Sequence, residues 1–294
     1  MNQKIFVLFA LSLSLVSCMQ SHELPEEITL AGAGVVTKDT LYLGKTTYME
    51  YCFACHGVNG DGKGVASKGL IPPPRDFTQG IYKFGWVMAG DLPTDDDFKR
   101  IIRKGLHGTA MLKWDIGDKR LNAVIQYLKT FAPKVWKGSD KKVGKWVDIG
   151  ADPYTIARKS HAIAKGAEVY HSVAMCQTCH RAYGTKAELS RWNQKYNGEP
   201  LTEFDQDMYK LKTQESEFGV NTLPPDFTWH EVRSADTVSE IALRVAAGVS
   251  GTAMPAWKDT IEDNEIWAVS YYIRSLMDLK HTPGRASLMR KLEN

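Results

Sequence analysis

The sequence predicts an all-α protein made of two tandem copies of one helical module. Three observations lead there. A series of five motifs recurs in the same order in both halves of the chain. Apolar residues fall on one helical face at Leu121, Val124, Ile125 and Leu128, and again at Ile266, Val269, Tyr272 and Ile273. Strand-like alternation is nearly absent. The chain has 294 residues, room for about two domains. Its 43% apolar and 24% charged residues are ordinary for a globular protein and exclude a disordered or fibrous one. A net charge of +3, dispersed along the chain, excludes a nucleic-acid binder.

Residues 1–17 have the form of a secretory signal, with Lys4 before the apolar run Ile5 to Val16. That run is too short to span a bilayer, so a polytopic membrane protein is excluded. Residues 18–38 show no helical period and read as a tether. The first domain is placed at 39–133. In it Leu41 to Tyr51 forms a helix, and Asp95-Asp96-Asp97 opens another before Phe98, Ile101 and Ile102. A basic linker at 134–160 carries Lys137, Lys141, Lys142 and Lys145. The second domain is placed at 161–279, entered by a helix from Thr155 to Tyr170, with Thr237-x-x-Glu240 as a capping box before Ile241. Residues 280–294 read as a basic tail. Net charges are +3 for the first domain, +4 for the linker and −6 for the second domain, so the two ends are expected to steer different partners.

The first motif series runs Gly44-x-x-x-Tyr48, Cys52-Phe53-Ala54-Cys55-His56, Pro73-Pro74-Arg75-Asp76-Phe77-Thr78, Gly108-Thr109-Ala110-Met111-Leu112-Lys113-Trp114 and Ala123-Val124-x-x-Tyr127. The second runs Gly166-x-x-x-Tyr170, Cys176-Gln177-Thr178-Cys179-His180, Pro224-Pro225-Asp226-Phe227-Thr228, Gly251-Thr252-Ala253-Met254-Pro255-Ala256-Trp257 and Ala268-Val269-x-x-Tyr272. His56 to Pro73 is 17 positions and His180 to Pro224 is 44, so the second copy holds an insert near 184–221. The insert is acidic, and its Trp192, Tyr196, Phe204 and Tyr209 hint at a dedicated interface.

Cys-x-x-Cys-His is the attachment signature of haem c. Each thiol adds across a porphyrin vinyl group, and the adjoining histidine is placed to bind iron. A zinc or redox Cys-x-x-Cys is the competing reading. The histidine in both copies and the secretory signal weigh against it. The attachment residues are then Cys52, Cys55, Cys176 and Cys179, with His56 and His180 as proximal ligands. His107, four residues before Met111, is the rival ligand in the first half, read as a loop histidine because the second copy has none there. His171 and His230 are weaker candidates, and His22, His161 and His281 carry no signal. Gly57 to Gly64 has the outline of a phosphate loop. It lacks Ser or Thr after Lys63 and follows no strand, so it is read as a turn.

On these residues the chain resembles the class I cytochrome c family, duplicated into a dihaem protein, over about 39–133 and 161–279. The resemblance implies two covalently attached haem c groups and a methionine as the second iron ligand, from the loop before the last helix. Met254 in Thr-Ala-Met-Pro and Met111 in Thr-Ala-Met-Leu hold that position. It also implies that a proline carbonyl receives the proximal histidine's ring N–H, from Pro73 or Pro74 and from Pro224 or Pro225. Tyr48, Tyr127, Tyr170 and Tyr272 are expected to pack where first and last helices cross. Trp114 and Trp257 are read either as core or as contacts to haem propionates. Leu15-Val16-Ser17-Cys18 resembles a bacterial lipobox, which implies acylation of Cys18 and a lipid-anchored periplasmic protein, with Met19 favouring the outer membrane.

Iron held by histidine and methionine has no vacant position, so the expected role is transfer of single electrons rather than catalysis. The expected partners are a membrane quinol-oxidising complex and a terminal oxidase, reductase or dehydrogenase, served as carrier or as electron-transfer subunit. A dihaem peroxidase-like enzyme is the alternative.

Overall fold

The computed structural model describes residues 24–293. The signal, Cys18 and Met19 lie outside the described residues. The fold is all-α apart from one hairpin, β1 (Glu27–Leu30) with β2 (Gly34–Thr37). The helices are α1 (Lys38–Tyr51), α2 (Phe53–His56), α3 (Asp95–Lys104), α4 (Asp118–Lys129) and α5 (Pro133–Trp136) in the first half. The second half has α6 (Lys159–Glu168), α7 (Lys186–Asn197), α8 (Val238–Ala247), α9 (Asp263–Met277) and α10 (Pro283–Glu293). Two helix clusters result, each containing one Cys-x-x-Cys-His.

Each half is organised by the crossing of its first and last long helices, α1 with α4 and α6 with α9. The crossings are close because a glycine sits at each. A Cβ on Gly44 would fall inside the van der Waals envelope of the Ala123 carbonyl, and one on Gly166 inside that of Ala268. The tyrosine four residues on packs against the partner helix. Tyr48 lies 5.5 Å from Tyr127 and Tyr170 lies 5.6 Å from Tyr272, ring centre to ring centre. The helical faces read from the sequence are buried: Leu121, Val124, Ile125 and Leu128 in one core, Ile266, Val269, Tyr272 and Ile273 in the other. Capping boxes start the third helices. Thr237 and Glu240 close α8 as expected, and Thr94 and Asp97 close α3, with an aspartate in the role usually held by Glu or Gln.

Three segments differ from expectation. From residue 24 onward the tether is folded: Leu30 and Ala31 are buried in the first core, and the Ala31 amide donates to the Trp136 carbonyl at 2.9 Å. Its carbonyl accepts from the buried Lys129 ammonium, which also pairs with Asp95 at 2.6 Å. A lysine cannot be buried without such partners, so the hairpin and α4 require each other. The basic linker is a strap rather than a spacer. Trp136 is buried in the first core and Val147 and Ile149 in the second, while Gly144 and Val147 donate to Leu92 and Trp86 carbonyls. The tail is helix α10, held over the second half by Arg285 on Thr228 and Asp226 and by Lys291 on Glu188.

The insert's aromatics turn inward, contrary to the interface hint. Trp192 stacks on His171 at 5.0 Å, Tyr196 bonds Glu168, Tyr209 donates to the Gly184 carbonyl, and Phe204 packs on a small core of Ala182, Leu189 and Met208. An insert this long must bury apolar surface of its own to stay ordered.

The halves also touch directly. Ala89 donates to the Ala247 carbonyl at 2.8 Å, and the buried Arg244 guanidinium donates to the carbonyls of Phe84 and Gly85. His107 reaches Asp236 at 2.9 Å.

Candidate haem-attachment sites

In each half the motif follows the first helix directly. α1 ends at Tyr51 and the Cys52 amide still bonds the Tyr48 carbonyl, so Cys52, Cys55 and His56 lie on one extra helical turn, α2. In the second half a π-helical segment, Val169–Val173, and a left-handed Met175 (φ 48°) deliver Cys176 to a 3₁₀ turn. The local routes differ, yet both end on the same i→i+4 bond, His56 to Cys52 and His180 to Cys176, each 2.9 Å.

The four motif cysteines are half-buried. Burial pushes Cys52 and Cys176 up to about 12, with the neighbouring Cys55 and Cys179 acting in the same direction, so both are neutral. Burial also lowers both histidines, His180 to about 4, which keeps the imidazoles uncharged. His56 Nδ1 lies 3.0 Å from the Arg75 carbonyl and His180 Nδ1 lies 3.3 Å from the Pro225 carbonyl. A backbone carbonyl can only accept, so Nδ1 carries the proton and Nε2 keeps its lone pair. A phenylalanine stacks on each ring, Phe77 at 4.5 Å and Phe227 at 4.9 Å. One further bond ties the motif to the first helix. Tyr48 donates to the carbonyl after His56, at Gly57, and Tyr170 to the carbonyl after His180, at Arg181, at 2.7 and 3.0 Å.

The first of those carbonyls corrects an expectation. Pro225 was among the candidates, but in the first half the acceptor is Arg75 rather than Pro73 or Pro74. When the halves are superposed on Asp-Phe-Thr, Arg75 takes the place of Pro225. A carbonyl acceptor is a backbone position, and no proline ring is needed to supply it. The signal was present in the shared Asp76/Asp226 register.

The two methionine loops are built alike. Leu106 donates to the Met111 carbonyl and Val249 to the Met254 carbonyl, at 2.9 and 3.1 Å. Thr109 and Thr252 each donate to the first residue of the loop and accept from the methionine amide. Gly105 and Gly248 (φ 69° and 73°) let the chain turn back, since a side chain at either would strike the returning strand of the loop. Leu112 in place of proline leaves this hydrogen bonding intact. Met111 packs on the first core with Cys52 and Trp114, while Trp257 packs on the second core. Trp114 sets its edge to Tyr51, 5.5 Å away.

Three other histidines have protein partners. His107 bonds Asp236 across the halves. His171 is buried, with Nδ1 on the Ala167 carbonyl and Nε2 accepting from the Tyr183 amide, so it has no free lone pair. His230 accepts from the Asp226 amide. The turn Gly57 to Gly64 wraps the first motif, with Gly62 and Gly64 donating to the carbonyls of His56 and Cys55.

The donor set fits haem c. Among the described residues no three His, Cys, Asp or Glu side chains converge as a metal site. Instead, each half offers two thiols, one oriented imidazole and a structured methionine loop, as one covalently held porphyrin iron requires.

Comparison with known proteins agrees. A chain of the Kuenenia stuttgartiensis reducing HAO-like protein complex is similar, with 29% identity and a TM-score of 0.64 over 86% of this chain and 99% of that one. No curated protein matches. Residues 40–128 and 161–273, each holding one attachment motif, match the family described as cytochrome c oxidase, cbb3-type, subunit III. Most of this chain lies within those two segments, and it belongs to that family of c-type cytochromes.

Proposed function

We propose that this protein is a dihaem electron-transfer protein, lipid-anchored through Cys18 in the periplasm, with the outer membrane favoured. It would pass single electrons between a membrane quinol-oxidising complex and a terminal oxidoreductase, as carrier or as fixed subunit. Cys52 and Cys55 would hold one haem and Cys176 and Cys179 the other, with His56 and Met111, and His180 and Met254, on the irons. The observation that carries this reading is that both halves build the same two parts: a carbonyl-oriented imidazole in the Cys-x-x-Cys-His turn and an identically bonded methionine loop. The bound group would supply a one-electron iron couple. The chain fixes the imidazole tautomer, excludes water from the proximal side with Phe77 and Phe227, and holds the thioether loop closed, which keeps reorganisation small. The family description names an oxidase subunit and the similar solved chain is part of a complex, and both support a place in a larger redox assembly. Among the described residues no helix is long and apolar enough to cross a membrane; the proposed anchoring rests on Leu15-Val16-Ser17-Cys18.

The test is a spectroelectrochemical titration of mature protein that tracks the near-infrared sulfur-to-ferric-iron band. Two one-electron steps with that band are expected, and Met254→His should lower one midpoint while leaving that iron six-coordinate. Peroxide turnover with cyanide binding to the reduced protein would favour the peroxidase-like alternative. A colourless sample would sink both.

A further inference from the structure

We infer that Arg75, Lys83 and Arg233, gathered where the two halves meet, form one shared anion site that receives propionate carboxylates from both haems. The inference rests on the dihaem reading above. The Arg75 guanidinium lies 3.7 Å from the centre of the Phe218 ring and the Lys83 ammonium lies 4.6 Å from it, so both cations converge on one aromatic side chain. Phe218 comes from the second half's insert and sits against Gly251, three residues before Met254. Arg233 is exposed at the same junction: its carbonyl accepts from the His107 amide, and its charge acts on Lys83.

The three cations have no carboxylate partner among the described residues. Asp76, the acid acting most on Arg75, spends its oxygens on Thr78 and Gln79. Burial lowers Lys83 to about 8, with Arg75 and Arg233 pushing the same way. Nearby, the buried Arg244 guanidinium donates to the Ser234 hydroxyl and to the carbonyls of Phe84, Gly85 and Gly248, with no carboxylate among these partners. Gathering like charges in a partly desolvated place is unfavourable unless an anion joins them. A guanidinium fork beside an ammonium suits carboxylate oxygens.

The internal repeat points to which anion. Lys83 stands seven residues beyond Asp76, and Arg233 seven beyond Asp226. Each half therefore brings a cation from the same point of the loop whose start orients its proximal histidine. A diffusing anion or an acidic partner would give no reason for matched cations, whereas a group attached once per half does. The site would then couple the two irons electrostatically, since each haem's anionic groups share the same countercharge.

The experiment uses the full mature chain with Lys83→Gln and, separately, Arg233→Gln, with intact mass first confirming two haem adducts. Resonance Raman then reads the propionate bending modes, and spectroelectrochemistry reads both midpoints. Shifted propionate bands and a fall of both midpoints in each variant are expected, with Lys83→Arg close to the parent. Unchanged propionate bands in a protein that carries both haems would overturn the inference, as would bands that move only when inorganic phosphate is present. Loss of the haem adducts from the parent protein would instead overturn the dihaem reading itself. Arg233→Gln and Lys83→Arg carry the test if Lys83→Gln fails to mature.

Discussion

The two halves hold the same backbone contacts with different side chains around them. Both place an imidazole on a carbonyl, both bond a tyrosine to the carbonyl after the histidine, and both close the methionine loop with a threonine. The neighbours differ. Asp76 serves a short exposed turn, while its counterpart Asp226 is buried among Tyr183, Thr228, Arg181 and Arg285. The residue after the crossing tyrosine is Met49 in one half and buried His171 in the other. The second half has added an insert and a terminal helix around the same frame, and its shared residues have acquired ionic and titratable duties there. What the site demands is backbone geometry, and side-chain surroundings are free to diverge.

The sharpest way to break this comparison is at the helix crossings, where the halves should respond alike. Gly44→Ala and Gly166→Ala each force a methyl into a carbonyl, and each should cost about 3 kcal/mol in its own half. Hydrogen exchange resolved along the chain would check it. A cost confined to one half would mean that the crossings are not equivalent.

Acid should separate the halves. Burial holds His171 at about 4, with the Glu188 charge and the Ala167 carbonyl acting upward. In the unfolded chain its imidazole titrates near the ordinary 6.5, so between those values the unfolded state binds more protons. Stability of the second half therefore falls as pH drops from 6.5 to 4, by about 3 kcal/mol from this group. Met49 gives the first half no such loss. Exchange protection in α6 and α9 against α1 and α4, followed down that range, would show it, and His171→Gln should flatten the difference.

A smaller contrast is expected at the shared aspartate. Asp226→Asn removes a charge that accepts from Tyr183, Thr228 and Arg181, at about 2 kcal/mol. Asp76→Asn leaves a good turn cap in an exposed place and should cost about 0.5 kcal/mol or less. Thermal unfolding of the paired variants compares them directly, and equal costs would contradict the burial argument.

The helical class, the duplication and the motif residues were legible because each depends on local spacing. Leu121, Val124, Ile125 and Leu128 announce a buried face by period alone, and Thr237 with Glu240 announces a helix start. Contacts between segments distant in the chain were not legible. Nothing around Leu30 and Ala31 indicates that they lie on Trp136, since an isolated four-residue strand carries almost no pattern. Trp136, Val147 and Ile149 sit among lysines that make the linker look solvated. The Arg75 carbonyl was not legible because a backbone acceptor depends on position in the fold and not on residue type. Phe77 and Phe227 stood in a repeated motif, but their stacking on the histidines required the fold.

The hairpin at residues 27–37 also limits how far the molecule can travel. Stapled to Lys129 and Trp136, it ties the chain from Leu24 onward to the first half, six residues beyond Cys18. A fully extended chain of that length reaches only about 20 Å. If Cys18 is acylated as proposed, the start of the first half can stand no farther than that from the bilayer.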